Sequence, residues 1–182
     1  MKITSTERVE TDTHLEGNHA VRKARELLPS FQSTMLVTRA EAGDGLHMRP
    51  MGLMGDLSVF GGTLWFFTDD RSRKVREIRR NPAVSLVFQD DEHSRYMQLS
   101  GTATTVSDRA KMRELFSPIV RTWFPDGLED PHLTLLRVDT TDGVFWDSPG
   151  GILRVLAAFT KAVVTRTPSK AGTTGTIDLH AE

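Results

Sequence analysis

Short apolar runs cut by polar turns fill most of this chain, and one longer pattern precedes them. Residues 14–28, HLEGNHAVRKARELL, space Ala20, Val21, Ala24, Leu27 and Leu28 as one face of a helix, and Pro29 ends the pattern. Apolar runs then recur at residues 34–39, 46–54, 63–68, 83–89, 96–106 and 133–139, the last continuing to Val144 and Trp146. These read as strands. Val84, Leu86 and Phe88 alternate with Ala83, Ser85 and Val87, as expected of a strand whose two faces meet different surroundings. Gly43, Asp44 and Gly45 suit a hairpin turn, and so do Gly61 and Gly62. The pattern predicts further helices over residues 72–80, stopping before Asn81 and Pro82, and from an N-cap at Ser107 past Phe116. A last helix over residues 152–164 gathers Ile152, Val155, Leu156, Phe159 and Val163 into one stripe.

Six or seven closely spaced strands with few helices cannot form a doubly wound parallel sheet, which needs a crossover helix between most strand pairs. The expectation is a mainly β, α+β fold: a small antiparallel barrel with peripheral helices. Residues 1–32 form an N-terminal helical segment, 33–166 the barrel domain, and 167–182 a flexible tail. The tail, TPSKAGTTGTIDLHAE, is small, polar and rich in Gly and Thr, a composition that offers little apolar burial against its ordering entropy.

With 182 residues, 38% of them hydrophobic and 26% charged, the chain suits one globular domain and is not intrinsically disordered as a whole. Its 23 Lys and Arg stand against 24 Asp and Glu, so it lacks the global basic excess of a dedicated nucleic-acid coat. The absence of cysteine removes disulfides, thiolate metal sites and cysteine nucleophiles. The first residues, MKITSTERVETDTHLEG, lack the basic start and apolar run of a signal peptide. The mostly apolar stretch from Gly150 to Val164 is too short to span a bilayer and carries Arg154 and Lys161. A soluble cytoplasmic protein is expected, with no membrane or nucleic-acid partner.

The chemistry concentrates in TLWFFTDDRSRKVREIRRNPAVSLVF, residues 63–88. A strand ends near Thr68, a polar loop follows, and Ser72, Arg73 and Lys74 open a helix. Free amides at a helix N-terminus, a hydroxyl and a lysine charge together can hold a dianion such as phosphate. The same residues also read as an N-cap serine on a solvated basic face.

The string FFTDDRSRK followed by NPAVSLVF resembles the flavin-binding stretch of the pyridoxamine 5′-phosphate oxidase-like split-barrel superfamily. There an aromatic–Thr pair precedes Ser-Arg-Lys, and Asn-Pro precedes the next strand. LWFFTDD, RPMGLMGD and FWDSPGGIL look most like its general stress protein branch, and the resemblance spans about residues 33–164. It implies a split-barrel homodimer with FMN at each of two interfacial sites. Ser72 and Lys74 would bind the FMN phosphate with Arg73 as a helper. Phe67 and Thr68 would meet the flavin at the strand end, and Arg49, Pro50 and Met51 would line the ring and phosphate side. Trp146, and Gln98 in the strand over residues 96–106, would reach the flavin of the other subunit; Trp146 equally suits a filler of the dimer core. The implied chemistry is flavin redox with a reduced nicotinamide as donor. A non-catalytic flavin-binding stress protein and a deazaflavin-dependent reductase are the alternatives.

The oxidases themselves carry a C-terminal Arg-x-His-x-Arg-like cluster and a lysine in the second strand. Here Asp147, Ser148, Pro149, Gly150 and Gly151 follow Trp146, and Met54 stands where the lysine would be, so vitamin B6 oxidation is not expected. His14, His19, His47, His93, His132 and His180 show no metal-site spacing, and no metal is predicted. Neither a Gly-x-Ser-x-Gly elbow nor a Walker loop is present, which leaves a hydrolase triad or an NTPase without support. The run RSRKVREIRR reads as a solvated helical face, with Glu77 its lone acid. Met48, Met51 and Met54 suit adaptable filler around a ring or core.

Overall fold

Alternating apolar positions along the chain become the strands of one mixed, open sheet. The computed structural model describes residues 12–147 and 173–179. In chain order the elements are β1 (Asp12–Glu16), α1 (Gly17–Leu27), β2 (Ser33–Arg39), β3 (Leu46–Gly52), β4 (Thr63–Asp69), α2 (Arg73–Arg80), β5 (Ala83–Asp90), β6 (Arg95–Val106), α3 (Arg109–Leu115), β7 (Leu133–Asp147) and β8 (Thr173–Asp178). Single 3₁₀ turns lie at Leu28–Ser30, Leu57–Val59, Pro118–Thr122 and Gly127–Glu129.

The strands follow the order β1-β8-β7-β6-β5-β2-β3, with β4 also paired to β7. All pairs are antiparallel except β1 with β8. The fifteen-residue β7 organises the sheet: β6 runs along one edge, while the other edge takes β4 at Thr63–Asp69 and then β8. At the changeover Ser100 pairs with Asp142 and Gly101 with Thr140, so Thr141 is the extra residue of a bulge. The backbones approach closely there. A Cβ on Gly101 would lie 2.3 Å from the Asp139 carbonyl oxygen, and one on Gly143 would lie 2.2 Å from that of Gln98. A bridge from Met54 to Trp65 is where the end of the β3 segment meets β4.

The inward positions, among them Leu36, Phe66, Leu86, Phe88, Leu99, Val138 and Phe145, form the main core with the Ala20–Ala24–Leu27 face of α1. A second cluster of Phe67, Met112, Leu115, Val120, Leu133 and Leu135 packs α3 and the Pro118–Thr122 turn against β4 and β7. Removing these side chains from water at roughly 25 cal/mol per Å² is the main drive for the fold.

Four expectations are corrected. Part of the expected flexible tail is strand β8, paired on one side with β7 and on the other with β1. The first helix starts at Gly17, because residues 12–16 are drawn into the β1 ladder with β8. Gly61 and Gly62 do not close a hairpin: β4 pairs in register with β7, and Thr140 N–H donates to the Gly62 carbonyl. The cap of α3 is Asp108, whose carboxylate accepts from the Ala110 and Lys111 amides, rather than Ser107. The helix expected over residues 152–164 lies outside the described residues.

Candidate functional site

The ends of β3 and β4 and the start of α2 converge on one cavity of about 480 Å³, within the range of small-molecule sites. Pro50 and Met51 from β3, Phe67 and Thr68 from β4, and Lys74 from α2 stand on its wall. The rest of the wall comes from Gln32, Ser33, Leu53 and Met54 and from the segment after α3, with Ile119, Val120, Trp123 and Phe124. The contribution of that last segment was not anticipated. Its signal was present in IVRTWF, a run of large apolar residues outside any strand pattern, and in the structure Ile119 is 56% and Trp123 65% exposed.

The cavity wall is mostly apolar, and Gln32, Ser33, Thr68 and Lys74 are its polar side chains. Lys74 is the one ionisable side chain on its wall among the described residues, and no hydrogen bond or ion pair there satisfies its ammonium. Burial, and then the nearby Arg49 charge, hold the Lys74 pKa below its ordinary value, while Asp69 opposes them. A partly dehydrated cation without a partner is a ready acceptor of an anion. Ser72 stands at the N-cap of α2, yet its hydroxyl makes no capping bond; it lies 3.5 Å from the Thr68 hydroxyl. Ser72 is not itself on the cavity wall, and the Val75 and Arg76 amides bond to its carbonyl, which leaves the Arg73 and Lys74 amides at the head of the helix without an intrahelical acceptor for a ligand to use.

The basic run divides by helix geometry. At about 100° per residue, Lys74 falls near the middle of the arc bounded by Val75 and Glu77, both buried, while Arg76, Arg79 and Arg80 occupy the opposite, exposed side. Glu77, expected on a solvated face, is 1% exposed. Its Oε2 accepts from Thr38 Oγ1 at 2.6 Å and from Arg49 Nη2 at 2.7 Å, and Arg49 Nη1 donates to the same threonine oxygen at 2.5 Å. Its Oε1 meets His47 Nδ1 at 2.5 Å and Arg73 Nε at 3.0 Å, and Arg73 Nη2 donates to His47 Nε2 at 2.9 Å. An arginine only donates and a carboxylate only accepts, so the pair of contacts suits a His47 ring that donates from Nδ1 to Glu77 and accepts at Nε2 from Arg73. Burial alone would push the Glu77 pKa up; the bonds from Thr38, His47 and Arg49 outweigh it and bring it down to about 2. Arg49 is thus neither a cavity wall nor a surface strand residue: its guanidinium is held by Glu77, close enough to Lys74 to act on it electrostatically.

Arg71 is matched by Asp69, so Arg49, Arg73 and Lys74 set against Glu77 leave two positive charges at the head of α2. That is the charge of a phosphate monoester with its sign reversed.

Gln98 and Trp146 do not line this cavity. Gln98 donates to the Ser85 and Ser100 hydroxyls, and Trp146 pairs across the strands with Tyr96 and is 42% exposed. Both stand on the outer face of the sheet with Val87 and Tyr96, away from the core. Among the described residues, no group of three His, Asp or Glu side chains could hold a metal ion, and no helix is long and apolar enough to cross a membrane.

Residues 19–169 match the model of the family described as pyridoxamine 5′-phosphate oxidase like. Protein bli-3 of Neurospora crassa is 25% identical over 166 residues, covering 87% of this chain and 79% of that protein. A structure from Jannaschia sp. CCS1, assigned as a general stress protein 26, superposes with a TM-score of 0.70 at 25% identity, covering 87% of this chain and 97% of that one. The general stress FMN/FAD binding protein of Xanthomonas citri gives a TM-score of 0.61 at 28% identity, covering 73% and 92%. With a family model matching most of its length, the chain belongs to the pyridoxamine 5′-phosphate oxidase-like family, and general stress proteins are among the structures it resembles.

Proposed function

We propose that this protein binds FMN in the cavity between β3, β4, α2 and the segment after α3, and acts as a cytoplasmic flavin-dependent oxidoreductase. The observation that carries the reading is the Lys74 ammonium, on the wall of a mostly apolar cavity with no hydrogen bond or ion pair among the described residues, two residues from the N-cap Ser72 of the same helix. The group fits this donor set: a phosphate at the head of α2 meets matching charge, and Pro50, Met51, Phe67 and Trp123 offer an apolar slot to a flat ring. The name of the Xanthomonas citri relative supports a flavin.

The chemistry a bound flavin supplies is acceptance of a hydride from a donor such as a reduced nicotinamide and its delivery to an acceptor. The chain's own part is to fix the phosphate through Ser72 and Lys74, to place Phe67 and Thr68 at the ring edge, and to exclude water with the Ile119–Phe124 side. With Met54 in place of a second cation, no second phosphate site lines the cavity among the described residues, which speaks against a phosphorylated substrate.

A homodimer is part of the proposal. Tyr96, Val87 and Trp146 project from the outer sheet face at 38%, 38% and 42% exposure, an apolar surface suited to a second copy of the chain. Gln98 and Trp146 then serve the partner's cavity. A non-catalytic flavin store or sensor is favoured by one observation: no carboxylate or imidazole lines the cavity among the described residues, so no general acid or base stands there.

The test is the absorbance spectrum of freshly purified protein, then heat release and chromatography of the cofactor, with FMN added back to colourless protein. Released or rebound FMN supports the site, and turnover with a reduced nicotinamide then separates enzyme from store. A folded protein that refuses FMN overturns the proposal.

A further inference from the structure

The lone acid of the basic run has no place in the phosphate site as described, yet four side chains bond to its carboxylate. Glu77 is fully buried, and each of its oxygens closes a ring with a different arginine. On Oε2 the ring runs through Arg49 Nη2, Arg49 Nη1 and the Thr38 hydroxyl. On Oε1 it runs through Arg73 Nε, Arg73 Nη2 and His47. A guanidinium gripped at two nitrogens cannot rotate about its own plane, so both forks have fixed directions. Arg49 Nε and Arg73 Nη1 are left without hydrogen bonds among the described residues.

From this geometry we infer that Glu77 is a positioning residue of the anion site: it orients Arg49 and Arg73, through Thr38 and His47, so that their remaining N–H groups serve the phosphate held by Ser72 and Lys74. The inference rests on the flavin-phosphate reading above. Its content is unusual in sign. By charge alone, a carboxylate behind an anion site weakens anion binding, and removing it strengthens binding. By orientation, removing it frees both arginines to swing into solvent, and binding falls.

Affinity for FMN compared with riboflavin isolates the phosphate, because the two ligands share the ring and ribityl chain. General damage to the fold weakens both ligands alike, whereas loss of orientation lowers only the ratio. For Glu77→Gln the ratio of FMN to riboflavin affinity is expected to fall about tenfold or more, despite the removal of a negative charge. For Arg49→Lys, which keeps the charge and loses the fork, the ratio falls as well. A ratio that rises or stays at the wild-type value in folded Glu77→Gln, or stays at the wild-type value in Arg49→Lys, overturns the inference. If Glu77→Gln does not fold, Arg49→Lys decides alone. Wild-type protein that binds neither flavin instead defeats the proposed function, a result distinct from an unchanged ratio.

Discussion

Acidification should reveal Glu77 as a stability element, with a magnitude set by its surroundings. Four side chains donate to its buried carboxylate, and its pKa falls from 4.5 to about 2. In the unfolded chain the group titrates near its ordinary value. A carboxyl with a depressed folded-state pKa stabilises the fold above the unfolded pKa, and that contribution is lost as pH falls through the folded pKa. The window therefore runs from about pH 4.5 down to about pH 2. One pKa unit corresponds to about 1.4 kcal/mol, so the full contribution is about 3 kcal/mol, of which about 2 kcal/mol is lost by pH 3.

Urea unfolding followed by tryptophan fluorescence at pH 6 and pH 3, for the wild type and Glu77→Gln, measures this directly. Asp56, Asp69 and Asp90 also have lowered pKa values, but they are common to both proteins and cancel in the comparison. The wild type is expected to lose about 2 kcal/mol more than the variant between the two pH values. Equal losses would refute the buried network as drawn, because they would mean that the Glu77 carboxyl titrates alike in the folded and the unfolded chain.

The other predictions concern the site, the bulge and the outer face. Replacing Ser72 and Lys74 together with Ala should cost about 2–4 kcal/mol of FMN affinity, roughly 30- to 700-fold by calorimetry, with riboflavin affinity little changed. Gly101→Ala forces a Cβ against the Asp139 carbonyl and should lower stability by about 1–3 kcal/mol in chemical unfolding; an unchanged midpoint would place the β6–β7 approach elsewhere. Val87→Glu combined with Trp146→Glu should convert a dimer to a 20.3 kDa monomer in sedimentation equilibrium, and a dimer that survives both charges has another interface.

What the sequence made legible follows from range. The strands from residue 34 to residue 139 declare themselves because alternation is local, and each inward residue meets the same core. The helix head at Ser72 is legible for the same reason, since Asn81 and Pro82 bound α2 from the other side. β8 was not legible. Its sequence TTGTID holds a single large apolar residue, Ile177, which is buried, and the segment is ordered by ladders on both edges, to β7 thirty residues earlier in the chain and to β1 at the opposite end. Composition sees the entropy cost of such a segment and not the partners that offset it.

The run RSRKVREIRR shows the same limit inside one helix. Counting charges gives a solvated basic face, and for Arg76, Arg79 and Arg80 that is what the structure holds. Val75 and Ile78 mark the buried side, and the arc they open also takes in Lys74 and, at its rim, Glu77. The helix period could have singled out Lys74 as the cation facing inward. It could not have buried Glu77, because a carboxylate enters a core only where donors from other elements await it, and Thr38, His47 and Arg49 come from β2 and β3, some 30 to 40 positions away in the chain. The inward-facing Lys74 is thus written into one helix, while the bonds that tie Glu77 to Arg49 and His47 exist only where the hairpin of β2 and β3 lies against that helix.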